Sequence, residues 1–202
     1  MVRRVLGSSP VPIAAHAGID PARLSTRTVL RELSRTDRDE FLALSRDSRE
    51  LHLPWAHPPA TPRDFADLLA RTERDDFVSL LICRARDGAI AGVCNLSQIF
   101  RGSFQNAYVG YYANARHAGR GYMTEGMQLV LFHAFCVLGL HRIEANIQPG
   151  NRASLALARR AGFRREGFSP RYLQIGGEWR DHERWAILAE DWTAAVLAAQ
   201  RD

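Results

Sequence analysis

Residues 115 to 126 read ARHAGRGYMTEG, with Gly119 and Gly121 one residue apart directly ahead of a segment with helical spacing. The first backbone N–H groups of a helix have no partner inside it and carry about half a positive charge, so a glycine turn feeding them can hold an anion with main chain alone. A second candidate is PGNRAS, where Asn151 and Ser154 stand one turn apart and offer a capping amide and a hydroxyl. Carboxylates for proton transfer are Glu125 and Glu144, and the imidazoles are His117 and His182. Each has a plainer reading. The glycines could merely turn the chain, Asn151 and Ser154 could be only a cap, and Glu125 could simply complement the helix dipole. Strand alternation could aim Glu144 into a site or toward a structural arginine.

Other chemistries are poorly served. The spacing and lysine of a nucleotide P-loop are absent, and no GxGxxG follows the first strand. Cys83, Cys94 and Cys136 stand far apart inside apolar runs without metal-ligand spacing, which reads as buried thiols and no metal. The net charge is +5 and every basic residue is arginine, but the arginines are spread along the chain, so direct nucleic-acid binding is not expected. No apolar run approaches the roughly 20 residues of a membrane helix, and the first ten residues lack a signal-like apolar stretch. The expectation is a soluble, cytoplasmic protein. Its 202 residues, 46% apolar, suit one domain with a substantial core.

The elements that must position these residues follow from pattern. Residues 1–25, with three prolines and little periodicity, read as an extension that packs loosely or is partly disordered. A strand is expected over Thr26 to Leu33, a helix from Thr36-Asp37, and a second from Thr61-Pro62-Arg63-Asp64, where a cap, a proline at the first helical position and an acid at the third coincide. Between the helices lies LHLPWAHPP. FVSLLICRA and AIAGVCNLSQIF form a hairpin about Asp87-Gly88, and NAYVGYYA is the fourth strand. Met127, Val130, Leu131, Ala134, Phe135 and Leu138 mark a long helix stopped by Gly139. HRIEANI is a strand, Asn151 to Gly162 a helix, and YLQIGGEWRDHERWAIL a closing hairpin. The order βααβββαβαββ predicts an α+β domain over residues 26–192, with one central mixed, mostly antiparallel twisted sheet flanked by helices, and a tail over 193–202.

Taken in order and spacing, IFRGSFQNAYVGYY, GRGYMTEGM, HRIEANIQPGNRASLALARRAGFRREG and YLQIGGEWRDHERWAI resemble the GNAT superfamily of acyl-CoA-dependent N-acyltransferases. Within it they are similar to the RimJ-type branch, bacterial enzymes that acetylate the N-terminal alanine of a ribosomal protein. The resemblance runs from about Thr26 to Trp192. It implies the GNAT fold, acetyl-CoA as co-substrate and direct attack by an amine without an acyl-enzyme.

The family signature Arg/Gln-x-x-Gly-x-Gly/Ala fits in two registers. A literal match uses Arg116, Gly119 and Gly121, whereas the distance to the helix and its Thr124-Glu125 selects Ala118, Gly121 and Met123. Helix phase decides where free amides point, so the second is adopted. Ala118, Gly119, Arg120, Gly121, Tyr122 and Met123 are then implied to hold the CoA pyrophosphate by main chain, although Ala118 and Met123 depart from the usual residue types. The resemblance further implies Asn151 beside the pantetheine arm, Ser154 as donor to the departing sulfur, and amides near Tyr112 and Ala113 for the oxyanion. Glu144 is the carboxylate candidate for the amine proton. Trp55, Phe100, Arg101 and Tyr172 are expected to build the acceptor pocket.

At pH about 7.4 an α-amine is roughly a quarter neutral and a lysine about one part in a thousand, so an N-terminal substrate needs little base. Neither LHLPWAHPP nor FRGSFQ contains an acid, which disfavours a polycation. The expected acceptor is the N-terminus of a ribosomal or other protein. A small amine is the first rival and a non-catalytic CoA-binding module the second. Homo-oligomerisation is left open.

Overall fold

The structure is a computed structural model that describes residues 18–200. Seven strands form one sheet in the order β1-β2-β3-β4-β5-β7-β6. They are β1 (Thr28–Glu32), β2 (Phe77–Arg84), β3 (Ile90–Phe100), β4 (Asn106–Ala113), β5 (Arg142–Ile147), β6 (Arg164–Ile175) and β7 (Glu178–Leu188). Neighbours are antiparallel except β4 and β5, which pair in parallel through only three positions, Asn106 to Tyr108 against Arg142 to Glu144. This is the expected mixed, mostly antiparallel α+β sheet.

Helices cover both faces: α1 (Arg38–Asp47), α2 (Arg49–His52) and α3 (Pro62–Arg71) on one, α4 (Tyr122–Phe132) and α5 (Arg152–Ala161) on the other, with α6 (Ala189–Ala199) closing the chain. Local chemistry sets their ends. At α3, Thr61 Oγ1 accepts from the Asp64 amide at 3.2 Å while Asp64 Oδ2 accepts from the Thr61 amide at 3.1 Å, the capping box that the sequence announced. Strand alternation then sorts side chains. In β5, Ile143, Ala145 and Ile147 are buried with α4, α5 and α6, while Glu144 and Asn146 face the other side. Phe135 and Trp192, tilted rings 5.6 Å apart, anchor this core, and each large apolar side chain buried there contributes about 1.5–3 kcal/mol. On the α1–α3 face, Phe41 meets Phe65 edge-on at 5.3 Å.

Several expectations need correction. The short α2 was not foreseen, and β6 begins at Arg164 instead of Tyr172. The helix expected to reach Leu138 changes at His133–Val137 into a π-helical turn, and Leu138 donates to the His133 carbonyl at 2.9 Å. Residues 193–199 are no tail. They continue α6, with Thr193 and Val196 buried, so packing extends past Trp192. At the other end Ile19 is buried in the same core, while residues 1–17 of the expected extension lie outside the described residues. Cys83 and Cys94 are buried thiols and Cys136 is half-buried. Among the described residues no helix is long and apolar enough to cross a membrane.

Candidate active site

Beyond Tyr108 and Glu144 the strands β4 and β5 have no register pairs, and a cleft of about 730 Å³ opens there. Its walls are the end of β4, the loop into α4, the start of α5 and the segment around α2. The Asn114 amide donates to the Ala91 carbonyl at 2.9 Å, so even-numbered residues of β4 direct their backbone groups to β3. Tyr111 and Ala113 therefore turn theirs toward the opening. This corrects one expectation. The Tyr112 amide belongs to the ladder with Val93, and Tyr111, which sequence reasoning passed over, supplies the amide beside Ala113.

The glycine loop forms the other wall. Ala115–His117 make a 3₁₀ turn, Gly119 has φ 73°, and Gly121, the N-cap of α4, has φ 87°. That left-handed backbone requires glycine, because a side chain there costs about 1–2 kcal/mol. Thr124 and Glu125 donate to the Gly121 carbonyl at 3.0 and 3.1 Å, whereas no backbone carbonyl among the described residues accepts from the amides of residues 119 to 123. Ala118, Gly119, Gly121, Tyr122 and Met123 line the cleft. Arg120 is exposed and gives its carbonyl to Arg27 Nη1 at 3.3 Å.

In the adopted register Met123 takes the place of a small residue, and Gly92 accommodates it. A Cβ on Gly92 of β3 would lie 2.2 Å from Met123 Sδ, so the bare backbone of Gly92 provides the room. Arg116, the first residue of the literal register, donates from Nη2 to Asp47 Oδ2 at 2.6 Å and does not line the cleft.

From α5, Asn151 Oδ1 accepts from the Ser154 amide at 3.1 Å, and both residues line the cleft. The Ser154 carbonyl accepts from the Tyr111 hydroxyl at 3.2 Å, which ties α5 to β4 across the opening. Also lining the cleft, His52 is 5% exposed and its Nε2 donates to the Ala113 carbonyl at 2.8 Å. Burial pushes this imidazole below its usual pKa, more than the Ala113 bond raises it, so it is neutral with its lone pair on Nδ1. His52 thus fixes the peptide next to the Ala113 amide. No spacing motif in the sequence marked it.

The carboxylates are engaged. Glu125 accepts from Arg27 Nε at 2.8 Å and from Ser25 Oγ at 2.7 Å. Glu144 does not line the cleft; its Oε1 accepts from Asn106 Nδ2 and Arg142 Nε, both at 2.9 Å. Alternation resolved toward the structural arginine, and this geometry removes the motive for giving Glu144 the amine proton. Burial first, then Arg84 and Arg120, lowers the pKa of His117. His182 is buried, donating from Nδ1 to the Arg180 carbonyl at 2.9 Å. Among the described residues no group of three or more His, Cys, Asp or Glu could hold a metal ion.

The proposed acceptor residues divide. Trp55 lines the cleft, its ring 2.9 Å from where a Gly150 Cβ would stand, while its carbonyl accepts from Gln148 Nε2 at 3.2 Å. Phe100 pairs with Asn106 at the far end of β4, roughly 24 Å from Ala113 at about 3.4 Å per residue. Arg101 is bound there to the Leu138 carbonyl at 2.6 Å. The structure therefore separates Phe100 and Arg101 from the cleft. Tyr172 lies edge-on to His182 at 6.2 Å, also outside the cleft lining.

The parallel pair thus parts beside a glycine loop and a capped helix, leaving an open cleft with unpaired main-chain amides along one wall. The acetyltransferase (GNAT) domain matches residues 27–164, and the chain belongs to that family. It is 35% identical over 170 residues to the probable N-acetyltransferase YjcK of Bacillus subtilis (strain 168), covering 80% of this chain and 94% of that protein. It is 40% identical over 104 residues to the ribosomal protein uS5-alanine N-acetyltransferase of Escherichia coli (strain K12), covering 52% of this chain and 54% of the relative. The structure of Mycobacterium smegmatis RimJ in complex with CoA-disulfide aligns with a TM-score of 0.76 at 28% identity, over 86% of this chain and 88% of that one. A spermidine N-acetyltransferase from Vibrio cholerae, solved with CoA and spermine, shares the fold with a TM-score of 0.72 at 20% identity, over 83% and 99% of the two chains. The protein is an acetyl-CoA-dependent N-acetyltransferase of the GNAT family.

Proposed function

We propose that the acceptor is the N-terminal α-amine of a protein, a ribosomal protein being the leading class. The observation that carries this reading is the state of the carboxylates: Glu125, which lines the cleft, is bound to Arg27, and Glu144 on the nearby strand is bound to Arg142. A polyamine carries several positive charges and would need unpaired acids to offset their desolvation. An α-amine brings one charge and is about a quarter neutral near pH 7.4, so it needs no strong base.

In this reading acetyl-CoA lies in the splay with its pyrophosphate on the amides of residues 119 to 123 and its thioester at Tyr111 and Ala113. Their N–H groups stabilise the oxyanion as the amine attacks from the Trp55 side. Ser154 donates a proton to the departing sulfur, and water takes the amine proton. The relative that modifies a ribosomal protein supports this reading, and the spermidine enzyme supplies the small-amine alternative.

The test is thiol release from acetyl-CoA with peptides that differ in their first residue, beside N-terminally blocked lysine peptides and spermidine. Turnover is expected with free N-termini and at most about 1% of that rate with blocked peptides, following the neutral fractions. Turnover confined to spermidine would overturn the assignment.

A further inference from the structure

Arg27 stands immediately before β1 and almost a hundred residues from the glycine loop, yet it lines the cleft. Its Nε donates to Glu125 Oε1 at 2.8 Å, and Nη2 donates to the same oxygen. Nη1 donates to the Arg120 carbonyl at 3.3 Å, and the guanidinium lies 5.4 Å from the centre of the Tyr122 ring. A Cβ on Gly121 would sit 3.0 Å from Nη2, so the cation is pressed against the N-cap of α4. Ser25 holds the second oxygen of Glu125, fixing the carboxylate that orients the guanidinium. Of the five N–H donors of arginine these bonds use three, and the side chain is 54% exposed.

We infer that Arg27 is a phosphate ligand of the donor site, its spare N–H groups joining the amides of the loop, and that Glu125 with Ser25 acts as its positioning bracket. A guanidinium fork suits two phosphate oxygens, and a pair already ordered by Glu125 loses little freedom on binding. On the opposite wall Arg160 reaches Thr124 Oγ1 at 3.3 Å, so the cradle has a cation on either side. The assignment rests on acetyl-CoA as donor and is independent of which amine accepts.

The test compares two donors, acetyl-CoA and S-acetyl-pantetheine, which keeps the thioester arm but lacks every phosphate. Arg27→Ala is expected to raise KM for acetyl-CoA by about 10- to 100-fold, the range of a charge-assisted hydrogen bond, with kcat within about twofold. With S-acetyl-pantetheine the variant should match the wild type. Arg27→Lys should recover part of the loss, since it restores the charge without the fork. Glu125→Gln should raise KM less than Arg27→Ala, and the double variant should be no worse than Arg27→Ala alone. An equal loss with both donors would mean that Arg27 only shapes the loop, and an unchanged KM would mean that it does not meet the phosphates; either overturns the inference. Acceptor preference should be unchanged throughout, which separates this result from a failure of the α-amine assignment.

Discussion

The two sides of the cleft that the proposed function assigns to donor and acceptor are built differently. Most of the side assigned to the donor comes from two short stretches, residues 111–125 and 151–154, in which most groups are main chain and their positions follow from a strand, a glycine turn and a capped helix; Arg27 and Gly92 join them from distant segments. The side assigned to the acceptor is assembled across the chain, where Trp55 from the segment after α2 meets Gly150 and Gln148 after β5. Main-chain recognition tolerates changes of side chain, so the proposed donor role is compatible with Ala118 and Met123 where the signature has other residues. Side-chain recognition does not, so the acceptor side is where relatives with different substrates can diverge on one fold.

The contrast predicts effects of graded size. Ser154→Ala should lower kcat for thiol release by about 100-fold with KM for acetyl-CoA nearly unchanged, the lower range for loss of a general acid. Full activity across pH would remove Ser154 from sulfur protonation. Gly92→Ala should raise KM for acetyl-CoA by about 10-fold or more, because its Cβ would displace Met123 and the loop, an overpacking of about 1–3 kcal/mol. The double variant Gly92→Ala/Met123→Ala should recover most of the loss, which would tie the effect to that contact. Trp55→Ala should act on the other side, raising KM for the acceptor peptide by about 10-fold while leaving that for acetyl-CoA within about twofold. Equal effects on both substrates would erase the proposed division.

A last effect lies outside the cleft and is on stability, leaving catalysis untouched. Asp37 is 5% exposed; burial alone would raise its pKa, but hydrogen bonds from Arg31 at 2.8 Å and from the Ser34 amide at 2.8 Å outweigh burial and lower it. A depressed carboxyl stabilises the fold above its unfolded pKa, about 3.9, and that stabilisation is lost as pH falls through the folded value. Asp37→Asn should therefore cost about 1–3 kcal/mol at neutral pH, and the gap to the wild type should close below about pH 4 in denaturant titrations.

What was legible follows the same division. The hairpin at Asp87-Gly88, the cap of α3 and the β4–loop–α4 connection each announced themselves by residues within one turn of one another. The helix α6 did not, because Leu188 at its N-cap offers no side-chain acceptor and no start signal. Alternation established that Glu144 faces one side of the sheet but not what waits there. Asn106 and Arg142 decided that, and Phe100 and Arg101, which read as pocket residues, were carried by β4 to its opposite end.

The sequence by itself determined the α+β sheet, the glycine-bearing strand-to-helix loop and the Asn151 cap beside Ser154, because backbone geometry and capping act over a few neighbouring residues. Only the tertiary structure decided that β4 and β5 splay, that His52 grips the Ala113 carbonyl, that Gly92 makes room for Met123 and that Arg27 reaches the loop. Those relations depend on which distant segments the sheet order brings together, and no local spacing encodes them.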